Sequence, residues 1–421
     1  MQLQSFMKTH VKPKMNEFPI ESFSSASKIF LKKFLFYLQE AKSNFSLEKV
    51  KREDLFFSET DTFPRNPNYN YIPKEIRGLI DPSPKVGKKA EFEIKGRKYT
   101  VYFITPLIHK GNAKLIKKMQ HLCDMEIRRI WEWFYVASFF SSGLNCSPIL
   151  NIYIYWTDHK KVLPKTFKEE LVHEELKETN LNTGFTIACP QTKNEICIFR
   201  WEEWYKVLIH ESFHSLGFDF VHLDETPVQK AMYQIFPVKT TVQLYEAYNE
   251  FWAEFLQILL LCYKPIYKED SKTELPGVFI SVLKKVQEKL ELEILFSQFQ
   301  AAKVLYYYGL SYRDLYLPSS SEIRRKKYRE TSGAFSYYIL KNIYFSYYPQ
   351  FIDRCIQLNR GSLQCKKIQG VILQFVDFIK EYHTDPVFLS RMDSLFEFIE
   401  EHNKNKLFSD QINTLRFTLT E

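Results

Sequence analysis

Apolar and polar positions follow different periods along the chain, and each change of period marks an element. Ile29, Phe30, Phe34, Leu35 and Leu38 recur at helical spacing behind Ser24-Ser25, which predicts a capped helix over Ala26 to Lys42. A polar stretch punctuated by Pro64, Pro67, Pro73, Pro82 and Pro84 follows and reads as a linker or a wrapped loop. Alternation through Ala90–Ile94 and Tyr99–Ile104, either side of Lys95-Gly96-Arg97, predicts a hairpin where a sheet begins. Ile149 to Trp156 is β-branched and aromatic and reads as a strand, followed by a charged, helix-like excursion from Lys165 to Lys177. Asn182–Ala188 and Glu195–Arg200 form two short strands around a turn from Pro190 to Asn194. The helical period then returns, with apolar side chains at 201, 204, 205, 208 and 209, and again from Gln243 to Tyr263. Beyond 264 the pattern is mainly helical, with aromatic-rich runs at Val304–Tyr316 and Phe335–Tyr348. Strands followed by a long run of helices predict an α+β fold.

Composition narrows this picture. With 421 residues and 45% hydrophobic content the chain can bury a large core. The longest apolar run, Phe255–Tyr263, is too short to span a bilayer, and Lys8, Lys12, Lys14 and Glu17 interrupt any apolar signal core. A soluble, cytoplasmic protein with no transmembrane segment is therefore expected. Seven cysteines without regular spacing fit reduced thiols, and Cys189 and Cys197 read as ordinary strand residues facing each other across the turn. The net charge of +8 is concentrated in residues 1–118, in clusters such as Lys85-Lys88-Lys89, Lys95-Arg97-Lys98 and Lys110-Lys114-Lys117-Lys118. No zinc finger, recognition-helix signature or RNA-binding aromatic motif accompanies them. They read as a solvated basic face rather than a specific reader of nucleic acid.

The candidate chemistry lies at Ile209-His210-Glu211-Ser212-Phe213-His214-Ser215-Leu216-Gly217. On a helix, His210 and His214 lie one turn apart on one face and can hold one zinc ion, with Glu211 beside them. Gly217 offers a C-cap. A third ligand is required. Phe220 stands where a histidine would complete HExxHxxGxxH, while Asp219 and His222 fall one residue early and two late for that slot, so Asp219 instead ends the helix or braces a histidine. In the next helix Glu246, Glu250 and Glu254 recur every four residues in an apolar segment, where stacked like charges repel unless something neutralises them.

With Asn249-Glu250-Phe251-Trp252-Ala253-Glu254 downstream of HExxH, the chain resembles the gluzincins, the HExxH-plus-glutamate branch of the zinc metallopeptidases, though the interval from His214 to Glu250 is longer than in thermolysin. "NTGFT", "EWYKVLIHESFHSLGFDF" and "SGAFSYYILK" resemble metallopeptidase-like proteins of large cytoplasmic DNA viruses, which implies a site in a host cytoplasm or a virion. The resemblance implies a zincin-like unit, Zn2+ as cofactor on His210, His214 and Glu250 (Glu246 being the other choice), and Glu254 beside a ligand histidine. It implies Glu211 as general base for peptide-bond hydrolysis, and Tyr337 or Tyr338 as donor to the oxyanion. It also implies an edge strand at Gly184, Phe185 and Thr186 on which a peptide or protein substrate lies. Three parts follow: a basic N-terminal extension (1–89), a catalytic subdomain (90–263) and a helical subdomain closing the cleft (264–421). The rival expectation is a catalytically silent virion or host-interaction protein that binds through its basic N-terminal region.

Overall fold

The computed structural model describes residues 2–107, 113–141, 143, 145–164, 174–263 and 275–420. The expected excursion from Lys165 falls mostly outside them, as does Lys110 of the third basic cluster. The fold is α+β. Six strands, β1 (Lys51–Phe57), β2 (Lys85–Ile94), β3 (Arg97–Pro106), β4 (Ile149–Tyr155), β5 (Gly184–Thr186) and β6 (Lys193–Ile198), form one mixed sheet in the order β1-β2-β3-β4-β6-β5. The hairpin β2–β3 turns through Lys95 (φ 47°) and Gly96 (φ 82°), two left-handed residues of the kind that match strand twist. β4 runs parallel to both β3 and β6, and β5 returns antiparallel to β6 as the outermost strand. The sheet starts earlier than the sequence pattern implied: β1 carries mostly exposed side chains, which hides its period.

Period-two alternation gives the sheet two apolar faces. Val101, Phe103, Ile152, Ile154, Ile196 and Ile198 face the main core, together with the motif helix (Trp204–Ser215) and a long helix (Ala113–Ala137). Ile104, Tyr153, Tyr155, Cys197 and Phe199 face the other way, where the proline-punctuated stretch covers them with Phe63, Tyr69, Ile72, Ile76 and Ile80. That stretch is a back layer of the sheet, not a free linker. The N-terminal helix (Ser25–Asn44), capped by the Ser24 hydroxyl on Ser27 N–H at 3.1 Å, buries Phe30, Phe34, Leu35 and Leu38 in the same main core as the C-terminal helices. Among the described residues no helix is long and apolar enough to cross a membrane.

Three of the basic N-terminal residues are used internally. Lys88 is buried against Asp124 (2.8 Å), Lys85 is buried, and the Arg97 guanidinium donates to the carbonyls of Gly143, Cys146 and Ser147. The loop that Arg97 holds corrects the expectation of reduced thiols: Cys146 and Cys189 are disulfide-bonded, their Cα atoms 4.6 Å apart. Forty-three residues separate them, so no local spacing pattern signals the pair. Cys197 is instead buried on the back face of the sheet.

A strap, Thr414 to Thr420, closes the main core beside the motif helix. Glu203, left-handed at φ 62°, accepts from Phe417 N–H, Thr418 N–H and the Lys161 ammonium, each at 2.7 Å, with all of its own side chain buried. Breaking a buried ion pair from one side costs about 3–5 kcal/mol because the survivor is left unpaired. Glu203→Ala is therefore expected to lose about that much in denaturant unfolding. A change below about 1 kcal/mol would show that the strap holds without it.

Candidate metal centre

All twelve residues of the motif helix are buried, so it is fixed on every side. Trp133 Nε1 donates to Ser212 Oγ at 2.8 Å on one flank, and the glutamate helix (Leu244–Tyr263) packs on another. The helix ends in a Schellman cap: Phe218 N–H reaches the Phe213 carbonyl, Gly217 N–H reaches that of His214, and Gly217 is left-handed at φ 69°. A Cβ on Gly217 would lie 2.8 Å from Cys146 Sγ, and Cys189 N–H donates to the His214 carbonyl at 3.0 Å. The disulfide thus sits directly beneath the turn that carries the second histidine.

On this helix His210 and His214 turn their Nε2 atoms toward a single carboxylate, Glu246, at 3.0 and 3.6 Å. Among the described residues these three side chains form the group whose ligand atoms converge closely enough for a metal, all within 4.8 Å of one another. Each imidazole is held from behind. His210 Nδ1 contacts Glu250 Oε2 at 3.0 Å, and His214 Nδ1 contacts Asp219 Oδ2 at 2.5 Å, with Asn249 donating to Asp219 at 2.9 Å. A carboxylate on Nδ1 fixes the tautomer that leaves the Nε2 lone pair facing the metal position.

The structure brings Glu246, one helical turn before the expected Glu250, to both Nε2 atoms. Glu250 takes the bracing role expected of Glu254, and its other oxygen accepts from Lys206 at 2.5 Å. Glu254 lies a further turn away, fully buried against the Lys341 ammonium at 2.8 Å, and touches neither histidine. Burial is the main reason its carboxyl is pushed up to about 8, with Lys341 opposing. Three glutamates four apart share one helix face, so the sequence leaves open which of them meets HExxH; the offset between the two helix axes decides it. Asp219 does stand behind His214. Tyr337 and Tyr338 separate: the Tyr337 hydroxyl donates to Glu246 at 2.9 Å, whereas that of Tyr338 donates to the Leu415 carbonyl in the strap. Both lie on a short π-helix, Phe335–Leu340, a locally widened, underwound turn of a kind that often marks functional positions.

Lys206 is the residue that motif reasoning passes over. It sits one turn before His210 on the same face, buried, and its ammonium lies 4.5 Å from the centroid of the Phe417 ring. A lysine four residues before the first histidine in an otherwise apolar segment was the available signal.

The metal position opens into a cavity of about 320 Å³, lined by Gly184, Phe185 and Thr186 of β5, Glu211, Tyr337 and Phe417 among others. Gly184 lies against the motif helix: a Cβ there would come within 2.9 Å of Val207 and 3.4 Å of Glu211 Cγ, so a side chain would displace the strand or the acid. Glu211 faces this cavity, and among the described residues no side chain donates a hydrogen bond to it. Burial raises its carboxyl above the ordinary range, only partly offset by His210 and His214.

The donor set fits a divalent cation. Glu211, Glu246, Glu250 and Asp219 place four carboxylates around the two imidazoles, while among the described residues Lys206 is the one whose ammonium contacts them, at Glu250. The imidazoles answer that excess. Burial would lower both, yet Glu246 and Glu250 push His210 up to about 9, and Glu246 and Asp219 raise His214 well above its ordinary value. Two nitrogens and one carboxylate oxygen, with space on the fourth side, match in type the donors that zinc takes.

Comparison with known proteins finds no matching family model, no similar curated sequence and no similar solved structure.

Proposed function

We propose that the protein is a zinc-dependent peptidase of the gluzincin type, with His210, His214 and Glu246 holding the metal. One observation carries the reading: two Nε2 atoms and a carboxylate converge, each imidazole backed by its own acid, beside a buried glutamate in a cleft under a free strand edge. Zinc in such a donor set supplies Lewis acidity toward a water molecule and a carbonyl oxygen.

The chain's own residues account for the rest. β5 is the outermost strand, so its free edge can hold an extended peptide by main-chain hydrogen bonds, with the scissile bond over Glu211. The Glu211 carboxylate accepts a proton from the attacking water and delivers it to the leaving amine nitrogen as the C–N bond breaks. Tyr337, at the cleft wall, holds Glu246 in place through its hydroxyl and, turned from Glu246, would be the cleft's donor to a developing oxyanion. Glu250 and Lys206 keep His210 from turning; Asp219 and Asn249 do the same for His214.

The test is metal content together with cleavage. Purified protein is expected to carry one zinc per chain and to cut a peptide library in a reaction stopped by chelator and restored by zinc. A stoichiometric zinc protein that leaves the library intact would remove the peptidase reading.

A further inference from the structure

A second cavity, of about 360 Å³, lies on the opposite side of β5 from the metal. Tyr71, Pro73, Phe185 and Phe199 line it, with Glu178 and Asn182 at its polar side. It shares Asn182, Gly184 and Phe185 with the first cavity, so the two flank one strand. The parity of β5 makes the division. Gly184 faces the motif helix and Glu211, while the Phe185 ring turns to the back layer, 5.8 Å from the Tyr71 ring and 6.4 Å from that of Phe199.

We infer that this back cavity is a side-chain subsite for the substrate, shaped for an aromatic or large aliphatic residue. The inference rests on the peptidase reading, because it takes an extended peptide on the free edge of β5 as the occupant. Successive side chains of such a peptide point to opposite faces of the sheet. Residues level with Gly184 and Thr186 project toward the metal, and their immediate neighbours project over Phe185 into the back cavity. Three rings and a proline make its walls. Tyr71 is 72% exposed, an aromatic residue left largely uncovered at the rim of this cavity. An aromatic guest would bury that ring and stack at its edge. The proline-punctuated stretch, which supplies Tyr71 and Pro73, thereby becomes part of substrate selection as well as the sheet's back layer.

Binding tests this without relying on turnover. Zinc-loaded Glu211→Gln protein is titrated by calorimetry with short peptides in which Trp replaces Ala at one position at a time. The expected result is at least tenfold tighter binding at one position, or at positions two apart, and never at neighbours. The Trp-to-Ala ratio should fall below threefold in a Tyr71→Ala background, a change at an exposed ring that leaves the core intact. Equal gains at neighbouring positions, a ratio indifferent to Tyr71→Ala, or no binding of any peptide would overturn the subsite. A larger gain with Arg than with Trp, lost in Glu178→Gln, would overturn it in favour of a basic guest. Cleavage by the unmodified protein is scored separately. Cleavage without Trp preference keeps the peptidase and removes the subsite; Trp-selective binding without any cleavage does the reverse.

Discussion

In Glu211→Gln, peptide cleavage is expected to fall by about 10²–10⁴-fold, the usual contribution of a positioned general base, while zinc content stays at one per chain. The amide preserves the volume of the side chain, so the wall of the cleft is unchanged and no cavity opens behind Gly184. What is lost is the ability to take a proton. The carboxylate is not among the three groups that converge on the metal position, which is why metal retention and activity should part company. Cleavage within a factor of about three of the unmodified protein would transfer the base role elsewhere. Loss of zinc in the same variant would instead make Glu211 a ligand.

The second large effect separates the three stacked glutamates. Glu246→Ala is expected to abolish stoichiometric zinc binding, since it removes the one carboxylate facing both Nε2 atoms. Glu250→Gln should keep the metal but weaken it by about 10–100-fold, the typical cost of losing the partner that orients a ligand histidine. Glu254→Gln should leave zinc affinity unchanged and lower stability instead above about pH 8, where the Glu254 carboxyl is ionised beside the buried Lys341 ammonium and the amide leaves that ammonium without a counter-charge. Competition with a chromophoric chelator measures the first two and denaturant unfolding the third. Zinc lost with Glu250 and kept without Glu246 would return the ligand role to Glu250.

The ordering of those glutamates also shows what a sequence can and cannot express. HExxH on a helix ended by Gly217, the Lys95-Gly96 hairpin and the strands around residues 149, 184 and 195 were legible, because each is a local pattern with a local cause. The choice among Glu246, Glu250 and Glu254 was not: their spacing says only that they share a face, and the crossing of two helices selects one. The Cys146–Cys189 bridge, the pairing of Lys161 with Glu203 and the back layer from Phe63 to Ile80 are likewise tertiary facts. Proline in that layer reads as a linker because its backbone is irregular. Its apolar side chains find the sheet only once the sheet exists.

The strap carries a consequence for how the protein comes to be made. Its amides reach Glu203 across 214 residues, and its polar side chains reach Glu293 across more than a hundred. Contacts so distant along the chain are slow to form, since loop closure has to precede any gain from them. The ligand helix is therefore expected to acquire its fixed N-terminus late, after the sheet and the glutamate helix have joined. Until the strap docks, the chain holds the whole His210, His214 and Glu246 cluster but lacks the Phe417 wall of its cleft.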